Sequence, residues 1–302
     1  MSNSYHIPVL LDRSIEGLNI KPDGVYTDLT FGGGGHSRAI LEKLGDKGKL
    51  IVFDQDEDAY KNRIDDERVV FIRHNFRYMY NFLQYLRALP LDGIIADLGV
   101  SSYHFDQAER GFSFRFDADL DMRMSRRMQL NAADILNNYD KDDLIKVFKM
   151  YGEIKPAGRL VNSIVERRRE RSFKTTTDLK EVAERFAHPK NQSGFLSKVF
   201  QSLRIEVNGE MDSLRDMLLS SLHVLKEGGR LVVISYHSLE DRMVKNFIRS
   251  GDFLKSTVDK DFYGNPVTPF KVISRKVIVP DREEVELNPR ARSARLRIAE
   301  KL

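Results

Sequence analysis

The sequence predicts an α/β protein, a mostly parallel sheet interrupted by an all-α insertion. Three observations carry this reading. First, a β-branched and aromatic run, Val25–Leu29, leads into four glycines, Gly32 to Gly35, and a helical stretch follows at roughly Ser37–Leu44. Second, further apolar runs recur at Lys49–Asp54 (KLIVFD), Arg68–Arg73 (RVVFIR) and Leu91–Asp97 (LDGIIAD), with helical segments between them. That is the rhythm of βαβ units. Third, the rhythm stops at about Phe105 and resumes only with RLVVIS at Arg230–Ser235. Residues 1–105 and 206–302 are therefore expected to form one discontinuous α/β domain. Residues 106–205 are expected to form a helical insertion long enough to bury a small core of its own.

Inside the insertion, Asp140 is placed to cap a helix with Leu144, Ile145, Val147, Phe148 and Tyr151 on one face. Thr177 is read as the cap of a second helix, carrying Leu179, Val182, Ala183 and Phe186. A helix through Met211, Leu214, Leu218, Leu222 and Leu225 is expected to stop at Gly228-Gly229. Val272–Val279 alternates apolar and polar residues and reads as a late, antiparallel strand.

Composition narrows the function. Of 302 residues, 41% are hydrophobic and 31% charged, which suits a globular protein with a sizeable core. The absence of cysteine removes disulfides, zinc–thiolate sites and thiol nucleophiles together. The seven histidines show no paired spacing, so no metal site is expected. The first residues, MSNSYHIPVLLDRS, have neither a basic start nor a long apolar run, and no segment is long enough to span a bilayer. The expectation is a cytoplasmic protein that does not enter membranes.

Net charge is +4, and two segments concentrate the basic residues. Arg159–Lys174 holds Arg159, Arg167, Arg168, Arg169, Arg171 and Lys174 against Glu166 and Glu170, and Arg290–Leu302 holds Arg290, Arg292, Arg295, Arg297 and Lys301 against Glu300. One Arg-rich helix is ordinarily a solvated face. Two clusters beside a nucleotide-type loop point to a nucleic-acid partner.

The chemistry is expected at the carboxyl ends of the strands, where open parallel sheets bind ligands. Consecutive glycines let a backbone approach a ligand closely, although on their own they read equally well as a flexible loop. Asp54 lies twenty positions beyond Gly34, placed to accept hydrogen bonds from ribose hydroxyls. Dinucleotides and S-adenosylmethionine both use this arrangement. No frame of the glycines completes G-x-G-x-x-G, because Ser37 or Arg38 falls where the last glycine belongs. The spacing favours S-adenosylmethionine without deciding the matter. Asp97 opens DLGVSS (Asp97–Ser102) and SYHSLEDR (Ser235–Arg242) follows the next strand, so both can reach cofactor and substrate. Glu240 and Asp241 are equally well read as first-turn helix acids. Phe76 can stack on an adenine, though a lone aromatic is more often core.

These residues and their neighbours resemble the bacterial RsmH (MraW) family, S-adenosylmethionine-dependent methyltransferases of small-subunit ribosomal RNA. The resemblance runs through HIPVLL (His6–Leu11), TFGGGGHS (Thr30–Ser37), DLGVSS, ERGFSF (Glu109–Phe114) and LDMRM (Leu120–Met124). It continues in FQSLRIEVNGE (Phe200–Glu210), GGRLVVISYHSLEDRMVK (Gly228–Lys245) and NPRARSARLR (Asn288–Arg297). It implies a class I methyltransferase, Rossmann-like, with an inserted helical domain. It implies methyl transfer to the exocyclic N4 of a cytidine in the decoding region of 16S rRNA, within the small ribosomal subunit. Carried over by motif, the cofactor residues are Gly34, Gly35, His36, Asp54, Phe76 and Asp97. The family's Pro-Gln after DLGVSS is Tyr103-His104 here, so His104 stands where a cofactor-contacting Gln is usual. Asp119 replaces the proline of PLDMRM, and the lead-in to FQSLRI lacks its usual threonine.

For catalysis, the residues expected to orient the amino group are Asp97 with Ser101 and Ser102, assisted by His237. Three rival readings stand beside this one: a non-catalytic RNA-binding assembly factor, a nicotinamide-dependent oxidoreductase, and a DNA amino-methyltransferase. The last would carry Pro-Pro-aromatic where this chain has Gly-Val-Ser-Ser. Homodimerisation is left open.

Overall fold

The computed structural model describes residues 8–99, 110–255, 257–264 and 266–302. The chain divides into two compact units, one of residues 1–99 and 212–302, the other of residues 100–211.

The first unit is built on a seven-stranded sheet. Its strands are β1 (Val25–Asp28), β2 (Lys49–Phe53), β3 (Val69–Ile72), β4 (Leu91–Asp97) and β5 (Leu225–Ser235), with β8 (Phe270–Val272) and β9 (Arg295–Lys301) at the far side. The order is β3-β2-β1-β4-β5-β9-β8. A two-residue pair, β6 (Asp259–Lys260) and β7 (Pro266–Val267), stands apart from it. The first five strands are parallel, and β9 runs antiparallel to β5 and β8. The strand order reverses between β1 and β4, and Thr27 of β1 sits opposite Ile51 on one side and Ile94 on the other. A crevice outside the strand ends at such a reversal is where doubly wound sheets bind ligands.

Period-two alternation holds this sheet to its helices. Leu50 and Val52, Val232 and Ile234, and Leu296 and Ile298 are buried with Leu18 and Ile40 in one cluster. At 25 cal/mol per Å² of apolar surface, each such side chain contributes about 1.5–3 kcal/mol.

Two late elements differ from expectation. The helix Glu210–Val224 ends before Gly228-Gly229, and those glycines lie inside β5, beside the register irregularity opposite Leu91 and Gly93. The Val272–Val279 strand shrinks to the end of β8 and one isolated bridge, Ile278 to Leu296. The long antiparallel strand is instead β9, the RLRIAEK of the C-terminal basic run. Arginine alternates with leucine and isoleucine there, so the charge pattern hides a strand pattern.

The second unit is helical, with helices Ala132–Asn138, Lys141–Gly152, Ala157–Glu170, Thr176–Glu184 and Gln192–Asn208. Its core contains Leu144, Phe148, Leu160, Ile164, Leu179, Val182, Val199 and Leu203. Asp140 occupies the N-cap position expected from the sequence, but its side chain makes no capping hydrogen bond. The next cap is Thr175 rather than Thr177, in a capping box with Asp178, whose carboxylate accepts from the Lys174 and Thr175 amides. That carboxylate also takes Arg167 at 2.9 Å. Arg168 donates to the carbonyls of Leu136 and Tyr139, which close the end of a neighbouring helix. Two of the arginines assigned to nucleic acid are thus used internally, while Arg169 and Arg171 stay exposed.

A candidate methyl-donor site at the sheet reversal

The strand ends at the reversal are acidic. Asp28 closes β1, Asp54 follows β2 and Asp97 closes β4. Asp28 is only 2% exposed and holds the loop beyond it: its carboxylate accepts from the Thr30 amide at 3.1 Å and the Ser37 hydroxyl at 2.6 Å. Thr30 Oγ1 in turn accepts from the Asp97 amide at 2.7 Å, which ties the end of β4 to the turn after β1. Asp54 accepts from the Gly32 amide and the Asp56 amide, both at 2.8 Å, so the second strand end is tied to the same turn.

Within the turn the four glycines differ. Gly34 has φ of +77°, a backbone region that favours glycine, and immediately precedes the helix Gly35–Leu41. A Cβ on Gly35 would lie 2.0 Å from Pro8 Cγ, so a side chain there would displace the entering segment. At Gly33 a Cβ would meet nothing within 4 Å, and this is the open, exposed point of the loop. His36 is buried, with Nε2 donating to the Val9 carbonyl at 3.2 Å.

Phe76 is half-buried at the start of a single 3₁₀ turn after β3. Asn75 caps that turn and donates through Nδ2 to Gln55 Oε1 at 2.8 Å, linking it to the loop of Asp54. Phe76 and Asp54 are thereby brought to adjacent strand ends. Ser101, Ser102 and His104 lie outside the described residues.

Two residues at this edge were not singled out from the sequence. Tyr236, after β5, donates its hydroxyl to Asp97 Oδ1 at 2.8 Å, and its amide donates to Glu240 Oε2 at 2.9 Å. Asp28 was the other, although β1 ends in an acid as β2 and β4 do. His237 is the N-cap of the helix Ser238–Ser250: Nδ1 accepts from the Glu240 amide while Nε2 faces Glu240 Oε1 at 3.2 Å. Its Nδ1 is committed to a capping box, a task that SYHSLEDR signals through Glu240 three residues on, while Nε2 is buried without a hydrogen-bond partner among the described residues.

Among the described residues, no lysine or arginine pairs with these carboxylates, and their acidities reflect it. Burial pushes Asp54 up to about 7, against the opposing hydrogen bonds of the Asp56 and Gly32 amides and with the charges of Asp56 and Asp28 adding to the rise. Burial likewise lifts Asp97 to about 6, with His36 and the Tyr236 hydrogen bond pulling it down and Asp28 and Glu240 pushing it up. Burial raises Asp28 as well. Such a cluster repels a pyrophosphate and suits a ligand that brings positive charge to the glycine turn.

Comparison with known proteins decides the class. The model of the MraW methylase family matches residues 3–302. The chain belongs to the MraW methylase family. It is 55% identical over 299 residues to the ribosomal RNA small subunit methyltransferase H of Parabacteroides distasonis, covering 99% of this chain and 98% of that one. The protein of the same name from Bacteroides thetaiotaomicron is 53% identical over 298 residues, with the same coverage. Among solved structures, an rRNA methylase from Streptococcus thermophilus superposes with a TM-score of 0.41 at 15% identity, covering 96% of this chain and 93% of that one.

As a member of this family the protein uses S-adenosylmethionine. The residues present fit it. The acidic strand ends would suit a sulfonium, Asp54 would offer acceptors to a ribose, and the open space at Gly33 would admit close backbone approach. Among the described residues, no helix is long and apolar enough to cross a membrane.

Proposed function

We propose that the protein methylates the exocyclic N4 of a cytidine in the decoding region of 16S rRNA, within the small ribosomal subunit of the bacterial cytoplasm. In this reading the glycine turn with Gly34, Gly35 and His36 borders the methionine end of the cofactor. Asp54 takes the ribose hydroxyls and Phe76 lies against the adenine. Bound there, S-adenosylmethionine supplies an electrophilic methyl on a positively charged sulfur.

The observation that supports an amino-group substrate is the Asp97–Tyr236 pair. Tyr236 occupies Asp97 Oδ1, and Oδ2 has no partner among the described residues. A cytosine amino nitrogen is a poor nucleophile because its lone pair is delocalised into the ring. A carboxylate that accepts one amino hydrogen holds the lone pair in line with the methyl as the nitrogen pyramidalises. With its pKa near 6, Asp97 is mostly ionised at neutral pH and can accept that bond. The base has to leave its stack to present the nitrogen in line. His237 contributes by fixing the turn that presents Tyr236, and Ser101 and Ser102 complete the substrate side. Arg169 and Arg171 of the helical unit serve rRNA phosphates.

The test is labelled methyl transfer from S-adenosylmethionine to small subunits from cells lacking the enzyme, followed by nucleoside analysis. N4-methylcytidine is the expected product. Label on another nucleoside overturns the substrate assignment, and RNA binding without any transfer would favour the assembly-factor reading.

A further inference from the structure

We infer that the first unit carries a second RNA contact, a phosphate-binding pocket between the helix Ser238–Ser250 and the β8–β9 edge. The inference rests on the RNA-methylating reading above and adds a site to it. The pocket has a volume of about 270 Å³ and is lined by Lys245, Ile248, Arg249, Val272, Ser274, Arg275, Arg297 and Ile298.

Four of these side chains are cationic. Lys245 and Arg249 sit four residues apart on one face of the helix, with Ile248 between them on the same face. Arg275 follows β8, just beyond the point where the chain leaves the sheet edge. Among the described residues, Lys245, Arg249 and Arg275 have no acidic partner. Arg297 does have one: its Nε and Nη2 donate to Asp241 at 2.7 and 3.1 Å. Arg295 shares that carboxylate at 3.2 Å, so one acid serves two arginines and positive charge is left over. Burial draws the Asp241 carboxyl upward, but the two arginines outweigh it and hold it below the usual range. Arg297 Nη1 makes no hydrogen bond among the described residues, and the residue lines the pocket.

Ser274 adds a neutral donor. Its hydroxyl oxygen accepts from the Ile298 amide at 3.3 Å, which leaves its own proton for a ligand oxygen. Ile248, Val272 and Ile298 form an apolar floor, where a sugar can rest while its phosphate meets the cations. Unpaired cations around a nucleotide-sized hollow are what a phosphodiester requires. Along the helix, Lys245 and Arg249 lie roughly 12 to 18 Å from His237. The pocket therefore takes a nucleotide outside the one being methylated and sets the register of the strand.

The experiment measures binding of a 16S rRNA transcript across a salt series, comparing the wild-type protein with Lys245→Gln/Arg249→Gln/Arg275→Gln. The salt slope of the triple variant is expected to fall by about 2 to 3, and its Kd at 0.1 M salt to rise about tenfold. Affinity for S-adenosylmethionine and the melting temperature serve as folding controls and stay unchanged. If the triple variant misfolds, Arg275→Gln alone is expected to lower the slope by about 0.7. An unchanged slope and affinity in a folded variant overturns the pocket while leaving the methyltransferase reading intact. Loss of cytidine monophosphate binding with RNA binding unchanged assigns the pocket to a free nucleotide and overturns an RNA occupant. Absence of wild-type binding to both the transcript and isolated small subunits overturns the pocket, while methyl transfer to small subunits judges the methyltransferase reading separately.

Discussion

Acidic residues are used in opposite ways in the helical unit and at the strand ends of the sheet unit. In the helical unit, Asp178 is bonded to Arg167 and to two backbone amides, and Asp121 is held bidentately by Arg123. Burial raises the Asp121 carboxyl, yet Arg123 outweighs burial and the group ends below its ordinary range. In the sheet unit, Asp28, Asp54 and Asp97 sit at three strand ends with amides and hydroxyls for partners, and burial raises all three. The first pattern stabilises a fold. The second stores unfavourable charge at one edge, and that is the signature of a place meant for a ligand.

The sharpest way to break this comparison is to remove a carboxylate from the sheet edge. Asp97→Asn is expected to lower the methyl-transfer rate about 100-fold or more in single-turnover assays, with cofactor still bound. Full turnover would show that Asp97 does not orient the amino group. Asp54→Ala is expected to weaken S-adenosylmethionine about 30-fold by titration calorimetry, through loss of two charge-assisted hydrogen bonds. If the affinity is unmoved, the ribose lies elsewhere.

The matching change in the helical unit should act on stability alone. Asp178→Ala strands Arg167 and removes a capping box, and is expected to cost about 3 kcal/mol in denaturant unfolding with cofactor affinity intact. Weakened cofactor binding at full stability would erase the contrast between the units.

Titration gives smaller effects. A carboxylate accepts the ribose hydroxyls best when ionised, so cofactor affinity is expected to fall about tenfold per unit as pH drops below 7, where Asp54 takes up a proton. The transfer rate at saturating cofactor should fall separately, through pH 6, as Asp97 protonates. Tyr236→Phe removes a hydrogen bond that lowers the Asp97 pKa, so the acid limb of the rate profile moves to higher pH. An unmoved limb would mean that Asp97 does not govern it.

Much of the architecture is legible in the sequence because it rests on local patterns. The runs KLIVFD, RVVFIR and LDGIIAD each form a parallel strand, and the glycine run with an acid twenty positions beyond Gly34 points to the turn and to Asp54. What escaped notice depends on contacts between distant segments. Tyr236 meets Asp97 across 139 positions, and only adjacency of β4 and β5 in the sheet brings them together. Arg167 and Arg168 count as surface charge until the fold brings an acid to one and two carbonyls to the other. β9 counts as part of a basic cluster in the sequence because Arg295 and Arg297 alternate with Leu296 and Ile298 along the strand.

The segment entering the fold has a consequence for the order of synthesis. Val9 accepts from His36, and the Leu10 amide donates to Glu284 Oε1 at 2.6 Å, across 274 positions. The residues beside Gly35 are therefore fastened by a carboxylate that is synthesised 274 residues later. Until Glu284 has left the ribosome, Leu10 lacks this bond and its clasp on the glycine turn is incomplete. A nascent chain can form β1 to β5 before it can complete this clasp. The clasp on the glycine turn is closed by a residue made well after the last of these strands.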